Sequence, residues 1–149
     1  MPPPTERALT APHTLQYTYK RSLGKVLGAF FTGLRGRRIL GVRAADGRVL
    51  VPPKEYDPET AASLSEMVEV GASGVVRSYA WVQHPREKQP LGHPFAYALI
   101  QLDGADTALL HAVDAGSEAR MRIGLRVRPR WREETRGEIT DLACFEPEA

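Results

Sequence analysis

The 149-residue sequence predicts a mainly β chain: a five-stranded Greek-key barrel preceded by an N-terminal helix and a small ribbon-like hairpin. Three observations carry this expectation. From Met67 onward, β-rich segments alternate with turn signals, and a connector with room for a short helix follows the third. Before them, one apolar stripe at helical spacing runs from Leu23 to Leu34. Between stripe and strands, the sequence is turn-rich and poor in core volume. The expected division is a tail and helix over 1–38, a ribbon-like segment over 39–66 and the barrel over 67–149.

The first fourteen residues, MPPPTERALTAPHT, read as a loose tail without the apolar core of a secretory signal. TLQYTYK, residues 14–20, reads as extended, with Leu15, Tyr17 and Tyr19 on one side. Ser22 is positioned to cap a helix. Leu23, Val26, Leu27, Phe30, Phe31 and Leu34 then form one helical face. Gly24, Gly28 and Gly33 each weaken an isolated helix by roughly 1 kcal/mol, so packing on Phe30 and Phe31 has to hold it. Those adjacent rings point about 100° apart, so one helix can touch its own barrel and a second chain. Gly36 is the expected cap, and Arg35, Arg37 and Arg38 suit the helix C-terminus.

Next, Ile39-Leu40 and Val49-Leu50-Val51 are expected to pair as a hairpin, turning at Asp46-Gly47 and stopped by Pro52-Pro53. MVEVGASGVVRSYAWV, 67–82, broken by Gly71 and Gly74, reads as one long bent strand with a bulge. A loop over 84–94 leads to FAYALIQL, 95–102, then ALLHAV, 108–113, IGLRVRPRW, 123–131, and ITDLACFE, 139–146. An open five-stranded sheet is the rival arrangement.

The hydrophobic fraction is 42%, ordinary for a folded domain, and no apolar run approaches the roughly 18 residues of a membrane helix. The single cysteine, Cys144, rules out an intrachain disulfide. These features predict a cytoplasmic protein without a membrane partner. The net charge of +2 hides an uneven distribution. Residues 120–136 hold seven arginines and two glutamates, 7 − 2 = +5, which leaves 2 − 5 = −3 for the rest.

No nucleophile elbow, zinc-protease motif, phosphate loop or dinucleotide fingerprint is present. His84 and His93 flank one loop and would need a third ligand or an acid to form a site. The simpler reading makes them turn residues, each beside a proline. His111 alternates with apolar residues in a strand, and Cys144 has no neighbour in sequence that would activate it. Arg126, Arg128, Arg130 and Arg132 alternate with Leu125, Val127, Pro129 and Trp131. On a strand this places four guanidinium groups on one face and the apolar groups on the other. Pro129 points to an edge or a bulge.

In this order the features resemble a family: OB-fold proteins that carry an N-terminal rubredoxin-like zinc ribbon and are associated with acyl-CoA metabolism. Its layout is a helix, a ribbon of Cys-x-x-Cys-Gly, Pro-Pro and Cys-Pro-x-Cys, and an OB barrel. Here the matching stretches are Leu23 to Leu34, RAADG (43–47), PP (52–53), DPET (57–60), and a barrel with VEVGASGVVRSYAWV, PFAYALIQLDG, GLRVRPRW and ITDLACF. The four ligand positions hold Arg43, Asp46, Asp57 and Thr60, so the resemblance implies a ribbon that has lost its zinc. An ion pair from Arg43 to Asp46 or Asp57 is the expected replacement.

The resemblance further implies a non-catalytic accessory subunit, without a cofactor of its own. Its partner would be a thiolase-like, lipid-transfer-protein-type enzyme acting on acyl-CoA thioesters, in thiolysis or in steroid side-chain retro-aldol cleavage. Leu23, Leu27, Phe30, Phe31 and Leu34 of the helix and Pro52, Pro53 and Tyr56 of the ribbon are the expected partner contacts. Arg126, Arg128, Arg130 and Arg132 are the expected groups for coenzyme A phosphates or partner electrostatics. The alternative is an OB-fold protein binding single-stranded nucleic acid through that arginine face. It needs exposed aromatic platforms as well, and nucleic acid is the less expected partner.

Overall fold

In the computed structural model, which describes residues 9–149, an exposed N-terminal segment leads into α1 (Gly24–Arg35). Eight strands follow among the described residues: β1 (Ile39–Arg43), β2 (Val49–Leu50), β3 (Met67–Val70), β4 (Gly74–Val82), β5 (Phe95–Leu102), β6 (Leu109–Val113), β7 (Arg126–Trp131) and β8 (Leu142–Pro147). Short 3-10 turns at Glu118–Arg120 and Ile139–Asp141 precede β7 and β8. The tail reading at residues 1–8 lies outside the described residues. Among the described residues no helix is long and apolar enough to cross a membrane.

β4, β5, β6, β8 and β7, in that order, close into a barrel. β7 completes it by pairing Val127 with Gly74 and Arg126 with Val75. The first three strands are an antiparallel meander, and the parallel contact of β6 with β8 rests on one pair, Val113 with Phe145. This is the OB topology, closed rather than an open sheet. Alternation decides which residues fill it. Along β5, Ala96, Ala98, Ile100 and Leu102 are buried and enter the main core, while Leu99 on the other face is exposed. Gly74 begins β4 where a Cβ would lie 2.4 Å from the Gln101 carbonyl oxygen, so only glycine lets the strands approach there.

The stretch 67–82 is not one bent strand. Its first part, β3, leaves the barrel and joins β1 in a small sheet of order β2-β1-β3. The bulge in β4 falls between Val76 and Ser78, not at Gly71. Within the small sheet the hairpin register also differs from expectation. Val42 and Arg43 pair with Leu50 and Val49, whereas Ile39 and Leu40 pair with Val70 and Glu69. The turn over Asp46-Gly47 stands where expected, with Gly47 at φ 89°.

α1 lies against β1, and its buried face is Val26, Phe30, Gly33 and Leu34. Phe30, Leu34, Ile39 and Val51 join the barrel residues in one core, so helix, ribbon and barrel share apolar packing. The helix begins without the expected cap. Leu23 occupies the cap position, and no side chain bonds the first turn. Gly24 enters at φ 73°, where a Cβ would strike the Glu55 carboxylate at 2.5 Å. Packing against the ribbon thus sets the start of α1, in place of a hydroxyl cap. Gly36 caps the other end, and the left-handed residue is Arg37, at φ 56°. Its guanidinium donates to the carbonyls of Arg132 and Glu133 at 3.3 and 3.1 Å, anchoring this unusual backbone to the loop before β8.

Candidate functional site

The four ribbon positions are close in sequence to one cation, and that cation is Arg48. Its guanidinium pairs with Asp46 of the first turn, with Glu59 at 3.1 Å, and with Asp57 of the second turn at 3.5 Å. The expected pair from Arg43 to Asp46 or Asp57 is not made. Arg43 points instead to Glu66 at 3.2 Å and to the Gly47 carbonyl at 3.2 Å. β1 ends at Arg43 beside Glu66, whose carbonyl accepts the Arg43 N–H, so the nearer carboxylate takes that side chain.

Asp57 is 4% exposed, and its Oδ1 accepts the N–H groups of Glu59 at 2.8 Å and Thr60 at 3.3 Å. The Thr60 hydroxyl accepts from the Ala62 N–H at 3.4 Å. The side chains at these positions do not fit a structural zinc site. One is a cation, one is a hydroxyl, and both carboxylates are engaged by Arg48 or by backbone N–H groups. Among the described residues no group of three or more His, Cys, Asp or Glu side chains could hold a metal ion. The hydrogen bonds from Arg48 hold the Asp46 carboxyl below its usual value.

The loop between β5 and β6 clasps the ribbon to the barrel. Asp106 accepts from the Val49 N–H at 2.8 Å, and the Thr107 hydroxyl accepts from the Val51 N–H at 2.7 Å. Arg126 on β7 then holds the base of this loop in a two-pronged bond to Asp103, at 2.7 and 2.8 Å. That bond lowers the Asp103 carboxyl.

Arginine and apolar side chains alternate along β7. Leu125 and Val127 are buried, Pro129 and Trp131 are half-buried, and Arg126 and Arg128 are exposed. Pro129 stands past the two-residue pairing with β4, where only β8 flanks the strand, and the strand is bulged between Arg130 and Trp131. The arginines are not a free cationic face, however. Arg126 also reaches Glu148 at 3.3 Å, Arg128 reaches Glu146 at 3.1 Å, and Arg130 reaches Asp114 at 2.9 Å and Glu146 at 3.2 Å. Three guanidinium groups thus stand against four carboxylates, 3 − 4 = −1. Arg132 is exposed, and among the described residues no carboxylate pairs with it.

Among the described residues neither His84 nor His93 belongs to a group of three or more side chains that could hold a metal ion. His93 contacts Asp114 through Nε2 at 3.2 Å, and His84 is exposed. Burial works to raise the Asp114 carboxyl, but hydrogen bonds from Arg130 and His93 outweigh it and leave it below its usual value. Cys144 is buried, and burial pushes its thiol up to about 11, so it stays protonated at neutral pH and is no nucleophile. His111 was visible in the sequence only as a strand residue. Its ring lies edge-on to Phe145 at 5.4 Å, and its Nδ1 is buried without a hydrogen-bond partner. Burial lowers its pKa from 6.5.

Of the residues expected at a partner contact, Phe30, Leu34 and Pro53 are buried within the chain. Phe30 and Leu34 face the shared core, and Phe31 packs against its margin. Leu27 and Phe31 are half-buried, while Leu23, Pro52 and Tyr56 are exposed. Leu23 and Tyr56 flank the junction at which α1 meets the ribbon, Gly24 against Glu55. The segment leading into this junction is exposed at every residue from Leu9 to Lys25. Leu15, Tyr17 and Tyr19 are 77%, 74% and 76% exposed, and the two tyrosine rings lie 6.4 Å apart. Their spacing was readable as an extended face. That no described residue covers them was not.

Residues 67–132 match the family model of the ChsH2 C-terminal OB-fold domain. Among solved structures, a protein of unknown function from the DUF35 family of Sulfolobus solfataricus is similar at 20% identity and a TM-score of 0.63, over 85% of this chain and 85% of that one. The Ltp2–ChsH2(DUF35) aldolase is similar at 23% identity and a TM-score of 0.61, over 89% of this chain and 98% of that one. A search of curated proteins finds no match. Residues 67–132 are thus similar to the ChsH2 C-terminal OB-fold domain, and the two solved structures share the fold of the chain.

Proposed function

We propose that this chain is a non-catalytic accessory subunit that binds and stabilises a thiolase-fold enzyme acting on acyl-CoA thioesters. The reaction of that enzyme would be thiolytic or retro-aldol cleavage, of the kind that shortens steroid side chains. The observation that carries the proposal is the apolar run Leu15, Tyr17, Tyr19 and Leu23, exposed among the described residues, with Tyr56 of the ribbon exposed as well. Large apolar groups exposed together in this way suit a protein partner. The helix that follows spends its buried face on its own barrel, so the contact falls on its start and on the segment before it. The similar Ltp2–ChsH2(DUF35) aldolase, in which Ltp2 and ChsH2(DUF35) are named together, supports the choice of an aldolase-type partner.

In this reading the nucleophile, acid and base reside on the enzyme. The ribbon is metal-free, with Arg48 in the metal's structural place, and its task is shape. The arginine strand braces the barrel, and Arg132 is its cation left for coenzyme A phosphates or the partner's acids. The nucleic-acid alternative retains little beyond Arg132, because Arg126, Arg128 and Arg130 are held by the chain's own carboxylates.

Capture on the tagged chain from its native host, with the bound protein identified by mass spectrometry and the eluate assayed for metal, tests the proposal. A stoichiometric thiolase-fold protein without zinc is expected. Tyr17→Asp combined with Tyr19→Asp should abolish capture and leave the circular dichroism spectrum unchanged. Turnover of acyl-CoA by the isolated chain would overturn the proposal. So would capture of oligonucleotide in place of protein, with the steep salt dependence of phosphate contacts.

A further inference from the structure

We propose that the cleft between β6 and β8 binds a small apolar anion, such as a medium-chain carboxylate. Its apolar body would lie on Leu110, Ile139 and Leu142, and its charged end between Lys88 and Arg132. The cleft exists because of the strand pairing. β6 is paired with β5 along its length but meets β8 at Val113 and Phe145 alone. Below that pair the strands splay and leave a cavity of about 280 Å³. Loop residues close it from both sides, Lys88 from the β4–β5 loop and Ile139 from the turn before β8. The two loops are those with which OB barrels meet ligands.

The lining selects the class of ligand. Ligand sites are mostly apolar with a few polar groups, and Leu110, Ile139, Leu142 and Pro90 supply the apolar part here. Leu110 is 61% exposed and Ile139 40%, on a barrel whose other face is densely packed. No aspartate or glutamate lines the cleft, whereas Lys88 and Arg132 do. That balance sets it apart from the outer face of β7, where each of the three preceding arginines has a carboxylate partner. An apolar wall open to solvent, with Lys88 and Arg132 at its edge, fits an apolar anion. A sugar or an extended nucleotide would find few polar partners and only one large aromatic ring, Tyr97. The volume lies just under the roughly 300–1,000 Å³ of drug-sized sites, so a short ligand or the end of a longer one fits.

The proposal is independent of any partner enzyme and is tested on the isolated chain. Calorimetric titration with decanoate should show saturable 1:1 binding, and decyltrimethylammonium, with the same chain and opposite charge, should bind at least ~tenfold more weakly. Leu110→Asp should abolish decanoate binding and Arg132→Gln should weaken it several-fold. Both positions are exposed, and an unchanged melting temperature would show that the fold persists. Arg126→Gln, at the start of β7, should leave binding unchanged. Absence of saturation, equal binding of the cationic probe, or binding unaffected by both Leu110→Asp and Arg132→Gln would overturn the proposal. So would a cleft that takes only an acidic apolar peptide, which would make it a protein-docking surface.

Discussion

In the barrel, Phe145, Ile100 and Val113 are fully buried, and apolar residues from all five strands meet in one core. In the ribbon, the apolar cluster is Val42, Ala44, Leu50 and Leu64, with Met67 at its margin, and beside it one guanidinium holds three carboxylates. The two regions therefore solve different problems. The barrel has enough apolar volume for burial alone to offset the cost of ordering the chain. The ribbon does not, and charge–charge and charge–backbone contacts gather its turns. Such contacts are weak at an exposed surface. They work here because Asp57 is buried and because Asp106 and Thr107 tie the ribbon to the barrel.

The sharpest way to break the comparison is to remove volume from one side. Phe145→Ala should cost about 3–5 kcal/mol, lower the melting temperature of the whole chain, and speed amide exchange in the ribbon and barrel alike. Exchange that rose in the barrel alone would show that the shared core does not couple the two regions. In the ribbon the largest single effect should come from Asp57→Ala, at about 1–3 kcal/mol, since the Glu59 and Thr60 N–H groups lose their acceptor. The increase in exchange should centre on residues 43–66. Asp141→Asn is the barrel's counterpart. This buried carboxylate accepts three N–H groups, from Arg136, Gly137 and Glu138, at 2.9, 2.7 and 3.1 Å. Its loss should cost a similar amount and loosen the loop over 132–141.

A paired substitution then separates the two ribbon arginines. Arg48→Gln should accelerate exchange in the ribbon by roughly tenfold, whereas Arg43→Gln should change it by little more than an exposed pair allows. Equal effects would mean that Arg48 is only one surface cation among several and that the carboxylates organise themselves. High salt should narrow the gap, because screening acts on the exposed pairs.

Much of the barrel was legible in the sequence, and the reason is periodicity. The alternation in 95–102 and the arginine–apolar alternation in 126–131 are local signals that the strands obey. The stripe on α1 was legible in the same way. What was not legible depends on partners distant in sequence. β3 was fused to β4 because both halves are β-rich; the pairing that separates them is with β1, Val70 to Ile39. Arg48 carried no local mark, since Asp57 and Glu59 reach it from the next turn of the ribbon. The arginine strand looked cationic because its counter-charges, Asp103, Asp114, Glu146 and Glu148, come from separate segments of the fold.

The smallest effect distinguishes the regions by pH. The carboxyls of Asp46, Asp103, Asp114 and Asp141 all sit below their ordinary value of 3.8. Their contribution is complete above that value and is lost as pH falls through the lowered ones, so both regions share an acid limit. His111 adds a second window that belongs to the barrel alone. Burial lowers its pKa from 6.5, so between the folded value and 6.5 the unfolded chain binds the proton and the folded chain does not. Stability from this group is therefore complete above 6.5 and declines as pH falls below it. A melting-temperature series from pH 8 to pH 5 should show a shallow fall that is absent in His111→Gln. A fall that persists in His111→Gln would assign the neutral-range sensitivity to another group and leave His111 as a packing residue against Phe145.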